Sequence, residues 1–153
     1  MKRSIQNGEG MLAQQVKKMP EKVKGSDLPK GEGETILVVE DEERSRDFLR
    51  AVLVMSGYKV ILASNGTEGV LSFTAYRNEI KLVLLDMGLP GLSSEEVLSM
   101  IRALESDMKI IAVSGLINLE ARSAVMEMGA SDYLQKPYLS DELLIKLHEN
   151  LRH

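Results

Sequence analysis

Four apolar runs in this chain end in side chains able to do chemistry. "TILVV" (35–39) runs into Glu40 and Asp41, and "KLVLLD" (81–86) ends in Asp86. "KIIAVS" (109–114) ends in Ser114, and "DYLQK" (132–136) in Lys136. Singly, each has an ordinary explanation: Asp serves turns, Ser caps helices, and Lys is a solvated surface charge. Jointly, they are the residue types that one reaction requires. Three gathered carboxylates repel and raise one another's pKa unless a cation neutralises them. Hard oxygen ligands without His or Cys suit Mg²⁺ or Mn²⁺, with waters completing an octahedron. An ammonium and a hydroxyl beside such an ion share the charge of phosphoryl oxygens. Asp86 is then the candidate nucleophile, forming an aspartyl phosphate.

For these residues to meet, the apolar runs must be neighbouring strands. Run 35–39 is aliphatic and β-branched, as a strand covered on both faces should be. Runs 59–63, 81–86 and 109–114 read as further strands, and 132–136 as a short one. Between them, helical spacing predicts helices over 43–56, 66–77, 93–105, 119–128 and 140–151. Their inward stripes are Phe48, Leu49, Val52 and Leu53, then Val70, Leu71 and Phe73, then Val97, Leu98, Ile101 and Leu104, and last Leu143, Leu144, Leu147 and Leu151. Asn65, Ser93 or Ser94, and Ser140 supply starts, and Gly57 and Gly129 supply stops. Five strands alternating with five helices predict an α/β fold, a doubly wound parallel sheet. Right-handed crossovers leave the flavodoxin-like strand order 2-1-3-4-5 as the expectation. In that order the first and third strands flank the point where the winding reverses. Ligands bind there, beyond the carboxyl ends of the strands.

The bulk numbers exclude several alternatives. A chain of 153 residues, 44% hydrophobic and 27% charged, suits one globular domain. Net charge −4 and a pI near 5.3 argue against direct nucleic-acid binding. No Cys is present, so there is neither a disulfide framework nor a thiolate site. No apolar run reaches membrane-spanning length and no apolar region follows Met1-Lys2-Arg3, so membrane contact is not expected and cytoplasmic is the default. Residues 1–34, with five Gly and two Pro, read as a flexible linker or N-terminal extension, and 35–153 as the domain. Within the extension, Met11–Met19 places Leu12, Val16 and Met19 at helical intervals over about two turns, too short to be stable alone. His148 and His153 lie in or after the last helix, away from the carboxyl edge.

The set "VVEDE", "LVLLDMGLPG", "IIAVSG" and "YLQKP" resembles the receiver domain of two-component response regulators, over about residues 34–152. Carried across position by position, the resemblance implies that Asp86 accepts the phosphoryl group. Asp41 would bind Mg²⁺ directly, Glu40 through water, and the Gly88 carbonyl would be the third contact. Lys136 would pair with the phosphoryl group, Ser114 would turn toward it, and Tyr133 would rotate inward behind it. The Lys136–Pro137 bond is expected to be cis. Three positions depart from the pattern. Glu40 replaces the usual Asp, Ser94 the usual Gly, and Leu92 a frequent Met. Gly88 carries no side chain to position or block an attacking water.

The implied function is a phosphoacceptor in a phosphorelay, fed by the phosphohistidine of a histidine kinase or phosphotransfer protein and switching a downstream protein target. The face of the fourth helix, fifth strand and fifth helix would change, and it is the place for any homodimer. No enzymatic activity beyond self-phosphorylation and autodephosphorylation is implied. Seventeen residues follow Lys136, room for one helix. The expectation is therefore a stand-alone regulator or a receiver from a larger protein. "LPKGEGETILVVEDEE" resembles the junction to the C-terminal receiver of a hybrid histidine kinase, although no nucleotide-binding box lies upstream. Two rivals stand beside this reading. One is a pseudo-receiver that only binds protein. The other is an Asp-nucleophile phosphatase, which would want a second Asp where Gly88 stands.

Overall fold

The computed structural model describes residues 27–115 and 119–152. Met11–Met19 and His153 lie outside the described residues. Strand and helix alternate as β1 (Thr35–Val39), α1 (Glu43–Met55), β2 (Lys59–Ala63), α2 (Gly66–Ala75), β3 (Ile80–Asp86), α3 (Ser94–Leu104), β4 (Lys109–Ser114), α4 (Leu119–Glu127), β5 (Asp132–Gln135) and α5 (Ser140–Arg152). The strands form one parallel sheet in the order β2-β1-β3-β4-β5, as the flavodoxin-like expectation requires.

Successive residues of a strand point to opposite faces, so an unbroken apolar run supplies two cores at once. Leu37, Val39, Val83, Leu85, Ile110 and Ala112 face one way, against Phe73 of α2, Val97, Leu98 and Ile101 of α3, and Val125 of α4. Ile36, Val38, Leu82, Leu84, Ile111 and Val113 face the other, against Leu49 and Leu53 of α1 and Leu143, Leu144 and Leu147 of α5. α1, α2 and α3 bury narrower stripes than their apolar spacing suggested, while α5 buries Leu143, Leu144 and Leu147 as expected, with Leu151 packed against them. Phe48, Leu71 and Leu104 are 45%, 64% and 36% exposed. Phe48 and Leu71 each stand about 100° round the helix from an adjacent residue that does face the sheet.

Local chemistry sets the helix starts. The Asn65 side-chain oxygen accepts the Glu68 amide at 2.8 Å. Ser93 Oγ accepts the Glu96 amide at 3.2 Å while the Glu96 carboxylate accepts the Ser93 amide at 3.3 Å, a reciprocal capping box. A Cβ on Gly66 would lie 2.5 Å from the Leu92 carbonyl oxygen, so only glycine lets α2 begin against the loop entering α3. At the opposite edge of the sheet, Arg102 Nη1 donates to the carbonyls of Ser106 (2.8 Å) and Met108 (2.7 Å), and Nη2 donates to that of Gly129. One side chain thereby ties the end of α3 to the starts of β4 and β5. Among the described residues no helix is long and apolar enough to cross a membrane.

Asp132 opens β5 and accepts from Lys146 Nζ (3.0 Å), Asn150 Nδ2 (2.9 Å) and the Tyr133 amide (2.8 Å). Burial acts to raise its carboxyl. The hydrogen bonds from Asn150, the Tyr133 amide and Lys146 outweigh burial and hold it below the usual value. A lowered carboxyl stabilises the fold above its unfolded pKa, and that stability is lost as pH falls through the folded value. Asp132→Asn is therefore expected to cost about 1.5–3 kcal/mol at pH 7 in urea unfolding, the range for hydrogen bonds to a charged group. The difference from the unsubstituted chain should shrink on acidification below the ordinary aspartate range.

Candidate functional site

The carboxyl edge of the sheet gathers the predicted residues. β1 ends beside β3, with Val39 opposite Leu85, so Glu40 and Asp41 emerge next to Asp86. β4 continues the edge: Asp86 pairs with Val113, and Ser114 follows one residue on. β5 pairs Gln135 with Ser114, and the Lys136 amide donates to the Ser114 carbonyl at 2.8 Å. The Lys136–Pro137 peptide is cis. Glu40, Asp41 and Asp86 each present a carboxylate oxygen, and these three atoms lie within 4.8 Å of one another. Lys136 Nζ stands 3.3 Å from both Glu40 Oε2 and Asp86 Oδ1.

Charge is unbalanced here, and the ionisation of each group reports it. Burial pushes the Glu40 carboxyl above the usual range, and the Asp86 charge adds to it, with Lys136 only partly opposing. Burial likewise raises Asp86; Lys136 pulls the other way, and the close Asp41 carboxyl raises it again. For Lys136, burial alone would lower the pKa, but the Asp86 and Glu40 carboxylates outweigh it and raise it. The pair behaves consistently: one ammonium is firmly charged, yet it cannot offset three acids. Two negative charges remain uncompensated in a half-buried pocket. The donor set is hard oxygen alone, which fits a divalent cation such as Mg²⁺ and gives no foothold to softer metals.

Gly88 leaves the pocket open: a Cβ there would meet only Asp86 Oδ2, at 3.9 Å. Ser114 and Tyr133 are buried. The Arg122 guanidinium of α4 stands 5.9 Å from the centroid of the Tyr133 ring. His148 sits on α5 and takes no part in the carboxylate cluster.

Two positioning residues, Ser94 and Arg46, and one neighbour of the site, Tyr138, escaped sequence reasoning. Ser94 is fully buried; its Oγ donates to the Asp86 carbonyl at 2.6 Å and accepts the Leu89 amide at 3.2 Å. It therefore pins the backbone on both sides of Gly88. Ser93 takes the cap, so the second serine of the pair was free for this work, which was the available signal. Arg46 Nη1 donates to the carbonyls of Glu40 (2.9 Å) and Asp41 (2.8 Å), fixing the loop that carries both acids. Tyr138 borders the site: burial raises its phenol, with Lys136 opposing and Glu40 and Asp86 adding.

The excess negative charge predicts two opposite shifts. In chelator at pH 7, Asp86→Asn should raise the thermal midpoint by a few degrees by removing one repelling carboxylate. Lys136→Met should lower it, because the acids lose the ammonium that stands beside them. Differential scanning calorimetry of both variants checks the signs.

The comparisons agree with this geometry. Residues 36–148 match the family described as the response regulator receiver domain. The transcriptional regulatory protein YkoG of Bacillus subtilis (strain 168) is 38% identical over 117 residues, 76% of this chain and 50% of that protein. CusR of Escherichia coli (strain K12), a transcriptional regulatory protein, is 34% identical over 117 residues, 76% of this chain and 51% of that one. The chain thus spans about half the length of the curated relatives it matches. Among solved structures, a receiver domain protein from Clostridium thermocellum superposes with a TM-score of 0.73 at 32% identity, covering 77% of this chain and 94% of that one. A CheY-like receiver domain protein from Methanospirillum hungatei JF-1 gives 0.71 at 33% identity, over 78% and 94%. Matching sequence, superposable fold and an acidic edge of the expected composition lead to one conclusion: the chain belongs to the response regulator receiver domain family.

Proposed function

We propose that Asp86 is the phosphoacceptor of a two-component phosphorelay. The observation that carries this is the cluster itself, three carboxylate oxygens within 4.8 Å with the Lys136 ammonium 3.3 Å from two of them. A carboxylate oxygen of Asp86 attacks the phosphorus of a partner's phosphohistidine. The new O–P bond forms as the N–P bond breaks, and the imidazole leaves with the electron pair. Glu40, Asp41 and Asp86, with the Gly88 carbonyl, would hold Mg²⁺, for which Mn²⁺ can substitute. Bound there, the ion supplies the positive charge that phosphoryl oxygens require.

Lys136 then exchanges part of its contact with Asp86 for a phosphoryl oxygen. The added charge of about −2 attracts the Ser114 hydroxyl, and Tyr133 rearranges behind it. Because Tyr133 lies on β5 under Arg122 of α4, its movement alters the face formed by α4, β5 and α5. That face is the proposed contact for a downstream protein and for any homodimer. The donor is a histidine kinase or a phosphotransfer protein, and the setting is the cytoplasm. YkoG and CusR are transcriptional regulatory proteins about twice the matched length, so a DNA-binding output would act through a segment other than this domain.

Incubation with a small acyl phosphate and Mg²⁺ should add one phosphoryl mass to the intact chain. Asp86→Ala should abolish the gain, and chelation should reduce it at least tenfold. Absence of any gain would leave a protein-binding module without phosphorylation. Rapid turnover of an added phosphoester would point to a phosphatase.

A further inference from the structure

The segment leading into β1 is held more firmly than its composition suggests. The Gly31 amide donates to the Ser56 carbonyl at 2.6 Å, the Gly33 amide to the Gly57 carbonyl at 3.0 Å, and the Lys59 amide to the Glu34 carbonyl at 3.0 Å. These bonds run residue by residue along the turn between α1 and β2. Two glycines make the approach possible. A Cβ on Gly31 would sit 2.6 Å from the Tyr58 ring, and one on Gly57, where φ is +94°, would sit 2.6 Å from the Gly31 carbonyl oxygen. Gly57 is needed by the backbone of Gly31, and Gly31 by the ring of Tyr58.

The same segment reaches the end of α5. Leu28 and Leu151 both pack against the core that holds buried Tyr58 and Leu147. Arg152 Nη2 lies 3.5 Å from Glu32 Oε1. Burial raises the Tyr58 phenol, with Glu34 adding to the shift and Arg152 opposing it, so all three groups share one corner. The exposed ion pair contributes little by itself. The backbone bonds and apolar contacts carry the attachment. All of this lies at the amino end of the strands, opposite the acidic edge.

We propose that residues 28–34 are a latch that joins the α1–β2 turn and the last turn of α5 into one cooperative unit. The latch stands on contacts alone. Its regulatory consequence rests on the proposed phosphoacceptor reading: α5 is a wall of the switching face, so the latch and the phosphorylation state become coupled. Such coupling is reciprocal, and a change in the latch shifts the switch as the switch shifts the latch.

Amide hydrogen exchange of the full chain, read residue by residue, tests this. In the unsubstituted chain the Gly31 and Gly33 amides should be protected. Gly31→Val drives a side chain into the Tyr58 ring. It should speed exchange tenfold or more at Gly33, Lys59 and Glu149–Arg152, while Val83, Leu84 and Ile111 stay slow. Should that variant fail to fold, Leu28→Ala removes packing without a clash and should give the same pattern with smaller factors. Free-peptide exchange at Gly31 and Gly33 in the unsubstituted chain would overturn the latch. Release of the segment with no change at the end of α5 would overturn the coupling. Phosphoryl mass gain on the same samples reads the phosphoacceptor proposal separately; its loss in both chains would refute that proposal while exchange still decides the latch.

Discussion

Three carboxylates facing one ammonium is the condition on which this structure turns. Left to themselves, Glu40 and Asp86 would move apart or take up protons, since burial and carboxylate repulsion both disfavour their charges. They stay together because each is fixed to backbone that cannot yield. β1 and β3 are central strands, covered by side chains on both faces and hydrogen-bonded on both edges. Arg46 clamps the loop carrying two of the acids, and Ser94 clamps the carbonyl of the third. Hydrophobic burial elsewhere therefore sustains an electrostatically unfavourable pocket, and a divalent cation has something to gain there.

Position in the sheet also links this pocket to the surface. β4 and β5 deliver Ser114, Tyr133 and Lys136 to the same neighbourhood, and Tyr133 lies against the core that α4 covers. In the proposed switch, a charge change at Asp86 would act first on groups held by β4 and β5, and those strands support one lateral face. No long conducting path is needed. Residues 28–34 add a second attachment at the far end of α5, so the helix of that face is gripped at its terminal turn.

Much of this was legible in the residues. The aliphatic runs were two-sided strands, because each supplies alternate residues to two cores, and acids at strand ends meant a site because parallel strands end on one edge. Strand order followed from handedness and the reversal of winding. Stripe widths were less legible: Phe48 and Leu71 are as apolar as their buried neighbours, and only the curvature of the helix against the sheet leaves them outside. Arg46 acts on backbone carbonyls, a role that leaves no pattern, and Ser94 left only the second serine of a capping pair as its sign. Gly31 carries the signature of a linker, but close contact with the Tyr58 ring demands the same residue for a different reason.

The sharpest test of the central claim is chemical trapping of the acyl phosphate at its own residue. Borohydride reduction after exposure to an acyl phosphate donor and Mg²⁺ converts a phosphorylated aspartate to homoserine, which peptide mass mapping then locates. Homoserine at position 86, dependent on both donor and Mg²⁺, is the predicted result. Homoserine at position 41, or no conversion under conditions where the chain is folded, would contradict it.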